Sequence, residues 1–371
     1  MINSATFHPA WLQQLSSRHG RLEVGIVEKM ILALTLVERL AQEQVSFVFK
    51  GGTCLVLLLG QARRFSVDVD IVTEAPAEEL QAALDRLVQQ PPFVRVEYDE
   101  RRSTKDTIPR GHYYLYYTPI VERKRPADHP EPYIALDVLH EAHGYPDLQQ
   151  VPVTSEFLQV DNPIQRVTVP SAESIAGDKL TAFAPRTTGI LYGSEKSLEI
   201  IKQLFDVGVL FDEVQQVEIV ARAYAATVAK ELAYRQLPLT AADVLRDTIQ
   251  TAYLLAQQRL LNPAKVPDLA AAGELSAGIS SFANYLIGER FNLDKAVVAG
   301  AKAAYLAARL LVQEYAALPR YAAQPVSDLR LTDPRFNFLN KLRSTPEALF
   351  FWQQTVKLLT QHGQEASLLE P

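Results

Sequence analysis

Apolar residues at Val27, Met30, Ile31, Leu34, Val37 and Leu40 recur at close to helical spacing and predict a helix over 22–44. The period then shortens. Val45-Ser46-Phe47-Val48-Phe49 is rich in β-formers and predicts a strand. It runs straight into Lys50-Gly51-Gly52-Thr53, and the apolar run from Cys54 to Leu59 has length for only a helical turn or two. Alternation over 66–72 predicts a second strand, helical spacing over 76–90 a helix, and 93–98, 112–117 and 133–139 three further strands. After about Pro170 the period is helical nearly to the end, over 171–184, 194–211, 212–234, 241–259, 278–287, 294–317 and 346–362. Segment 261–272 carries Pro263, Pro267 and an alanine run and reads as a subdomain linker. The expected fold class is α+β: a core with a mixed β-sheet over 1–170, then an all-α helical domain over 171–371.

Composition narrows this little. The chain has 371 residues, 48% hydrophobic and 22% charged, which is ordinary for a globular protein and excludes wholesale disorder. One cysteine, Cys54, excludes an intramolecular disulfide and a cysteine-built zinc site. No apolar run approaches the ~18 residues of a membrane helix, and the first twenty residues lack an apolar signal-type segment, so the expectation is a cytoplasmic protein without a membrane partner. The net charge of −6 does not announce nucleic-acid binding.

The chemistry concentrates between Val45 and Glu74. A strand ends in Gly51-Gly52-Thr53 and opens a helix, and glycines there let the backbone approach a ligand closely. A helix N-terminus presents free N–H groups suited to phosphate. The second predicted strand carries Asp68 and Asp70, which at i and i+2 would share a face while Val67, Val69 and Ile71 turn to the core. Paired carboxylates repel unless a cation lies between them, and a Mg²⁺ ion carrying nucleotide phosphates resolves that conflict. A lone D-x-D is otherwise only a solvated strand face. Here Arg64 and Ser66 stand just before it, and the glycine turn precedes it.

Lys50-Gly51-Gly52-Thr53 followed by Arg64-Phe65-Ser66-Val67-Asp68-Val69-Asp70 resembles the nucleotidyltransferase signature of the AbiEii/AbiGii toxin family, whose fold is that of DNA polymerase β-like nucleotidyltransferases. Two later blocks resemble the family in the same order. One is Asp178-Lys179-Leu180-Thr181-Ala182 with Arg186. The other is Lys202-Gln203-Leu204-Phe205-Asp206-Val207-Gly208-Val209-Leu210, where Gln203 stands in place of the family's first aspartate. The resemblance implies that Asp68 and Asp70 ligate Mg²⁺ bound to an NTP. Ser66 and the backbone of Gly51, Gly52 and Thr53 would lie by the triphosphate, and Arg64 would contact phosphate. Lys179 would neutralise phosphate charge, and Asp206 would act as a base or orient Lys179. It further implies a bacterial toxin of a toxin–antitoxin or abortive-infection system, with a cognate antitoxin as partner and the tRNA 3′ end as leading acceptor.

Read on their own residues, the later positions leave alternatives open. Lys179 lies in an amphipathic helix with Ile175, Leu180 and Phe183 and on sequence alone reads first as a solvated lysine, with the phosphate role as the alternative. Asp206 lies in an apolar run and needs a partner if buried: Lys202 four residues back, or Lys179, or the metal. Asp137 is a third carboxylate candidate for the metal, because it interrupts a strand apolar on both faces; polymerase-like folds place a third acid on such a strand. His140, Glu141 and His143 form only a weak zinc pattern. The stretch 101–125 is locally basic, with Arg101, Arg102, Lys105, Arg110, Arg123, Lys124 and Arg125 against Asp106 and Glu122. Tyr113, Tyr114, Tyr116 and Tyr117 interleave, which suits either a single-stranded RNA end or a hairpin with a core-facing tyrosine stripe. Three functions follow: nucleotidyl transfer to RNA, the same transfer to a protein or small molecule, and a degenerate nucleotide-binding module.

Overall fold

The computed structural model describes residues 1–19, 22–103, 108–121, 131–288 and 290–366. The described chain forms two compact units: one of 1–143, 148–171 and 285–289, the other of 144–147, 172–284 and 290–371.

The first unit is built on one mixed sheet. Its elements in chain order are α1 (Pro9–Arg18), α2 (Val24–Gln42), β1 (Val48–Lys50), α3 (Gly51–Leu58), β2 (Val69–Thr73), α4 (Ala77–Leu87), β3 (Phe93–Tyr98), α5 (Glu100–Ser103), β4 (Arg110–Tyr117), β5 (Tyr133–His140), β6 (Leu148–Pro152) and β7 (Arg166–Pro170). The strand order is β3-β4-β5-β2-β1-β7-β6. Pairs β2/β5 and β1/β7 are parallel, and the other four are antiparallel.

Alternation along the central strands separates two faces. Val69, Ile71, Tyr113, Leu115, Tyr117, Ile134, Leu136 and Val138 are buried on one of them. α2 lies against β2, β5 and β7, and α4 against β3. α2 is buried nearly all round, from Met30 through Glu38, because α1, α3 and α4 pack around it as well. Its two buried acids are used: Glu28 accepts from the Ile120 N–H at 2.5 Å, and Glu38 from the Ile2 N–H at 2.7 Å. Each therefore keeps hydrogen bonds that offset its desolvation.

Most predicted elements appear within a few residues of their expected bounds. The second strand is shorter than expected: β2 begins at Val69, so Asp68 precedes it. β6 and β7 were not foreseen: β6 lacks apolar alternation, and β7 alternates only over 166–169, with Val167 and Val169 buried, a run at the short limit of a strand signal. β6 is an edge strand with Gln149 and Gln150 exposed and Pro152 at its end.

The second unit is helical: α6 (Ala172–Ala182), α7 (Ser197–Glu213), α8 (Val217–Arg235), α9 (Ala241–Leu260), α10 (Leu269–Phe282), α11 (Leu293–Leu311) and α12 (Pro346–Gln361). α10 begins inside the segment expected to be a linker. The alanine-rich α11 is its central core helix, buried at Ala301, Ala303, Ala304, Ala307 and Ala308 and packed on α7, α9 and α12. Small residues allow close approach. A methyl on Gly208 of α7 would stand 2.8 Å from the Cβ of Ala299. Lys302 fixes neighbouring helices through Asp212 and Glu347, each at 2.8 Å.

Candidate active site

The glycine turn is shaped around the side chains that follow it. Lys50 ends β1 in extended backbone, and Gly51 takes φ +79°, a left-handed conformation that a side chain disfavours. The Asp70 carboxylate lies directly over Gly51: a Cβ there would stand 2.9 Å from the Asp70 Cγ. Gly52 is covered instead by the Arg64 guanidinium and the Ser66 hydroxyl, the latter 2.9 Å from where its Cβ would be. Both glycines are therefore required by side chains seated on them, and the first turn of α3 carries a carboxylate on one residue and a cation and hydroxyl on the next.

The Arg64–Ser66 segment is held from a distant part of the sequence. Phe65 N–H donates to the Tyr285 carbonyl at 2.7 Å, and Arg64 pairs with Leu286 in an isolated antiparallel bridge. Arg64 is buried, and its Nη1 donates to the Phe65 carbonyl at 3.0 Å. Thr53 Oγ1 donates to the Asp68 carbonyl at 2.5 Å, which ties α3 to the start of β2. The Asp68 side chain is exposed.

Strand register gives the second element of the site. Lys50 pairs with Asp70, Asp70 with Asp137, and Asp137 with His112. These four residues form one transverse row across β1, β2, β5 and β4, and register partners point to the same face. With strands about 5 Å apart, Asp70 and Asp137 are neighbours on the face opposite the α2 layer. His112 is buried, and its Nδ1 lies 2.5 Å from Asp137 Oδ1.

A further network surrounds His112. Its N–H donates to Ser103 Oγ at 2.9 Å, and its carbonyl accepts from the Asp99 N–H at 2.8 Å. Hydrogen bonds from the Arg102 N–H and then the Tyr114 phenol hold the Asp99 carboxyl below its ordinary value, against some desolvation.

The tyrosine stripe divides between the faces. Tyr113 and Tyr117 are buried, and burial pushes the Tyr113 phenol up to about 12. Tyr114 and Tyr116 lie on the other face and bond to Asp99 and Glu97. Arg95 stacks 3.3 Å from the Tyr116 ring while bridging Glu97 and Glu131. The described part of this surface is therefore balanced in charge. Lys105, Asp106, Glu122, Arg123, Lys124 and Arg125 lie outside the described residues.

In the helical unit, Lys179 on α6 and Asp206 on α7 meet. Lys179 Nζ is 3.1 Å from Asp206 Oδ2, and the two side chains are 8% and 1% exposed. The solvated-lysine alternative is thereby excluded. Lys179 Nζ also donates to Gln203 Oε1 at 2.8 Å. The residue that departs from the family pattern thus still supplies an oxygen acceptor to the lysine. Arg186 pairs with Asp268 at 2.5 Å, and its N–H donates to Asp247 at 2.7 Å. Asp247 is almost fully buried, and desolvation raises its carboxyl above the ordinary value.

Among the described residues, no three His, Cys, Asp or Glu side chains form a cluster able by themselves to hold a metal ion. A hard cation such as Mg²⁺ does not need one. It is commonly bound by one or two carboxylates together with substrate phosphates, and Asp70, seated over Gly51, and its register partner Asp137 provide carboxylates on neighbouring strands. The donor chemistry therefore fits Mg²⁺. Glu141 and His143 instead line a cavity of about 430 Å³ with Glu74 and Glu79, by Val48 and Val72 rather than by Lys50 and Asp70.

Sequence reasoning did not single out His112 and gave Lys50 no role. Their place in the row depends on register, which no single-chain pattern displays.

A model of the family described as nucleotidyl transferase AbiEii toxin, type IV TA system, matches residues 35–274. Curated proteins yield no match. Among solved structures, a protein from H. pylori described as a candidate nucleotidyltransferase aligns at 16% identity and a TM-score of 0.41, covering 77% of this chain and 94% of that one. An antigenic nucleotidyltransferase-like protein from Paracoccidioides brasiliensis aligns at 16% identity and a TM-score of 0.33, covering 56% and 90%. No helix among the described residues is long and apolar enough to cross a membrane.

Proposed function

Because the chain belongs to the AbiEii nucleotidyltransferase toxin family of type IV toxin–antitoxin systems, we propose that it uses Mg²⁺ to transfer an NMP from an NTP to the 3′ end of a tRNA, and that a separate antitoxin restrains it. The observation that supports this best is the strand row. Asp70 and Asp137 are register partners, Asp70 is seated on Gly51, and Arg64 and Ser66 are seated on Gly52.

In this reading Asp70 and Asp137 hold the cation together with substrate phosphate oxygens, and Asp68, exposed just ahead of β2, is the further acid that the family resemblance assigns to it. Mg²⁺ supplies charge neutralisation and alignment of the triphosphate. The N–H groups of Gly51, Gly52 and Thr53 receive phosphate oxygens, and the Arg64 guanidinium and Ser66 hydroxyl add donors to them. The acceptor hydroxyl attacks the α-phosphorus. A new P–O bond forms as the bond to the β-phosphate oxygen breaks, pyrophosphate leaves, and the hydroxyl proton passes to solvent. The family resemblance gives Lys179 the part of neutralising phosphate charge, and within its own unit Asp206 accepts from the Lys179 ammonium group at 3.1 Å and orients it. Positioning and electrostatics account for most of such catalysis.

The test is incubation of the full chain with each α-labelled NTP and total tRNA. Label appears in RNA for the wild type and is absent for Asp70→Ala. Persistent absence from RNA despite Mg²⁺-dependent NTP binding contradicts an RNA acceptor.

One observation favours a second acceptor class. Arg95 and Arg102 are engaged with acids and phenols of their own surface, so a protein or small-molecule acceptor is the alternative. Charge reversal at Arg123 and Lys124 separates the two. Lost RNA binding supports RNA, and unchanged RNA binding supports the alternative.

A further inference from the structure

The row that carries Asp70 and Asp137 ends in a histidine to which neither the family signature nor the sequence gives a role. His112 is 6% exposed, and its Nδ1 lies 2.5 Å from Asp137 Oδ1. The side chain of Asp137 is 36% exposed, so one oxygen faces the histidine while the carboxylate still reaches solvent. The histidine is fixed at both backbone groups, by Ser103 Oγ at 2.9 Å and by the Asp99 N–H at 2.8 Å. A carboxylate oxygen accepts, so Nδ1 is the donor. A single-atom hold of this kind fixes the rotation of a carboxylate and leaves its other oxygen directed.

We infer that His112 is a positioning residue: by donating from Nδ1 to Oδ1 of Asp137, it orients that carboxylate to share a divalent cation with Asp70. The inference rests on the reading of Asp70 and Asp137 as cation ligands. It adds that the third acid of this chain works only when a buried imidazole holds it.

The experiment uses the full chain and Mn²⁺ with a saturating non-hydrolysable NTP, with free Mn²⁺ followed by electron paramagnetic resonance against a protein-free control containing the same Mn²⁺ and NTP. His112→Ala is expected to weaken Mn²⁺ binding about 10-fold. His112→Asn places an amide N–H where Nδ1 stands and restores binding to within about 3-fold of wild type, on the same scale of effect. His112→Gln places its amide near the Nε2 position and does not restore it. Thermal unfolding reports whether each variant is folded; if the alanine variant is not, the Asn and Gln contrast decides. In transfer assays at saturating metal, kcat falls while KM for NTP holds. Wild-type Mn²⁺ binding by folded His112→Ala overturns the inference, as does rescue by Gln equal to rescue by Asn. Asp137→Ala distinguishes the levels. If it loses Mn²⁺ while His112→Ala keeps it, only the positioning role falls. If Asp137→Ala and Asp70→Ala both bind Mn²⁺ as wild type, the ligand reading falls and the inference with it.

Discussion

Gly51→Ala perturbs the site through two separable effects. The first is backbone strain: φ is +79°, and an L-residue in the left-handed region costs roughly 1–2 kcal/mol. The second is overlap, because the new methyl would stand 2.9 Å from the Asp70 Cγ and 3.0 Å from its Cβ. Those atoms lie near the root of a short side chain on a strand, so they cannot swing away as the end of a long one would. Overpacking of this kind costs about 1–3 kcal/mol. The sum is about 2–5 kcal/mol, which denaturant melts resolve. Asp70→Ala removes the overlap with the carboxyl group, keeps the Cβ at 3.0 Å and leaves the strain. In a double-mutant cycle, Gly51→Ala should therefore cost about 1–3 kcal/mol less in the Asp70→Ala background than in wild type. Asp70→Asn keeps the same atoms and should give no such relief, which separates shape from charge. Additive costs for Gly51→Ala and Asp70→Ala would refute the reasoning, since they would mean that the carboxylate does not sit on the glycine.

Lys179→Met or Asp206→Ala alone breaks the buried Lys179–Asp206 ion pair and should lower stability by about 3–5 kcal/mol, with the double variant losing clearly less than the sum; equilibrium unfolding measures this. Gln203→Asp restores the residue typical of the family and keeps an oxygen for Lys179, so labelled-NTP assays should show transfer retained. Thr240→Ala removes the capping box of α9 and should cost about 1 kcal/mol. Hydrogen bonds from the Thr240 hydroxyl and N–H hold the Asp243 carboxyl below its ordinary 3.8. That contribution is present above pH 3.8 and fades as pH falls through the depressed folded value, so the stability gap between wild type and Thr240→Ala should narrow in acid melts.

The sequence made much of the site legible because its parts are local. The strand–glycine–helix passage over Lys50–Thr53 and the acids Asp68 and Asp70 lie within one short segment, residues 50–70, and α3 and β2 form there. The bounds of β3 were also readable, from its β-forming residues between Pro92 and Asp99, although its register shifts between Phe93 and Arg95. Asp68 was misplaced by one element. Val67 continues the alternation, yet β2 pairs only from Val69, and a pattern cannot show where pairing starts. The burial of Lys179 was hidden because its partner lies on another helix; the 3.1 Å contact to Asp206 is tertiary. His112 was hidden for a related reason. Only the pairing of β4 with β5 sets it opposite Asp137. The hold of residues 285–287 on Arg64 and Phe65 is longer in range still.

The most direct test of the account is anomalous diffraction from crystals of the full chain grown with Mn²⁺ and a non-hydrolysable NTP. The account predicts a Mn²⁺ peak shared by the Asp70 and Asp137 carboxylates, with the triphosphate against the Gly51–Gly52 turn. A nucleotide and metal bound elsewhere, with both carboxylates uncoordinated, would contradict it.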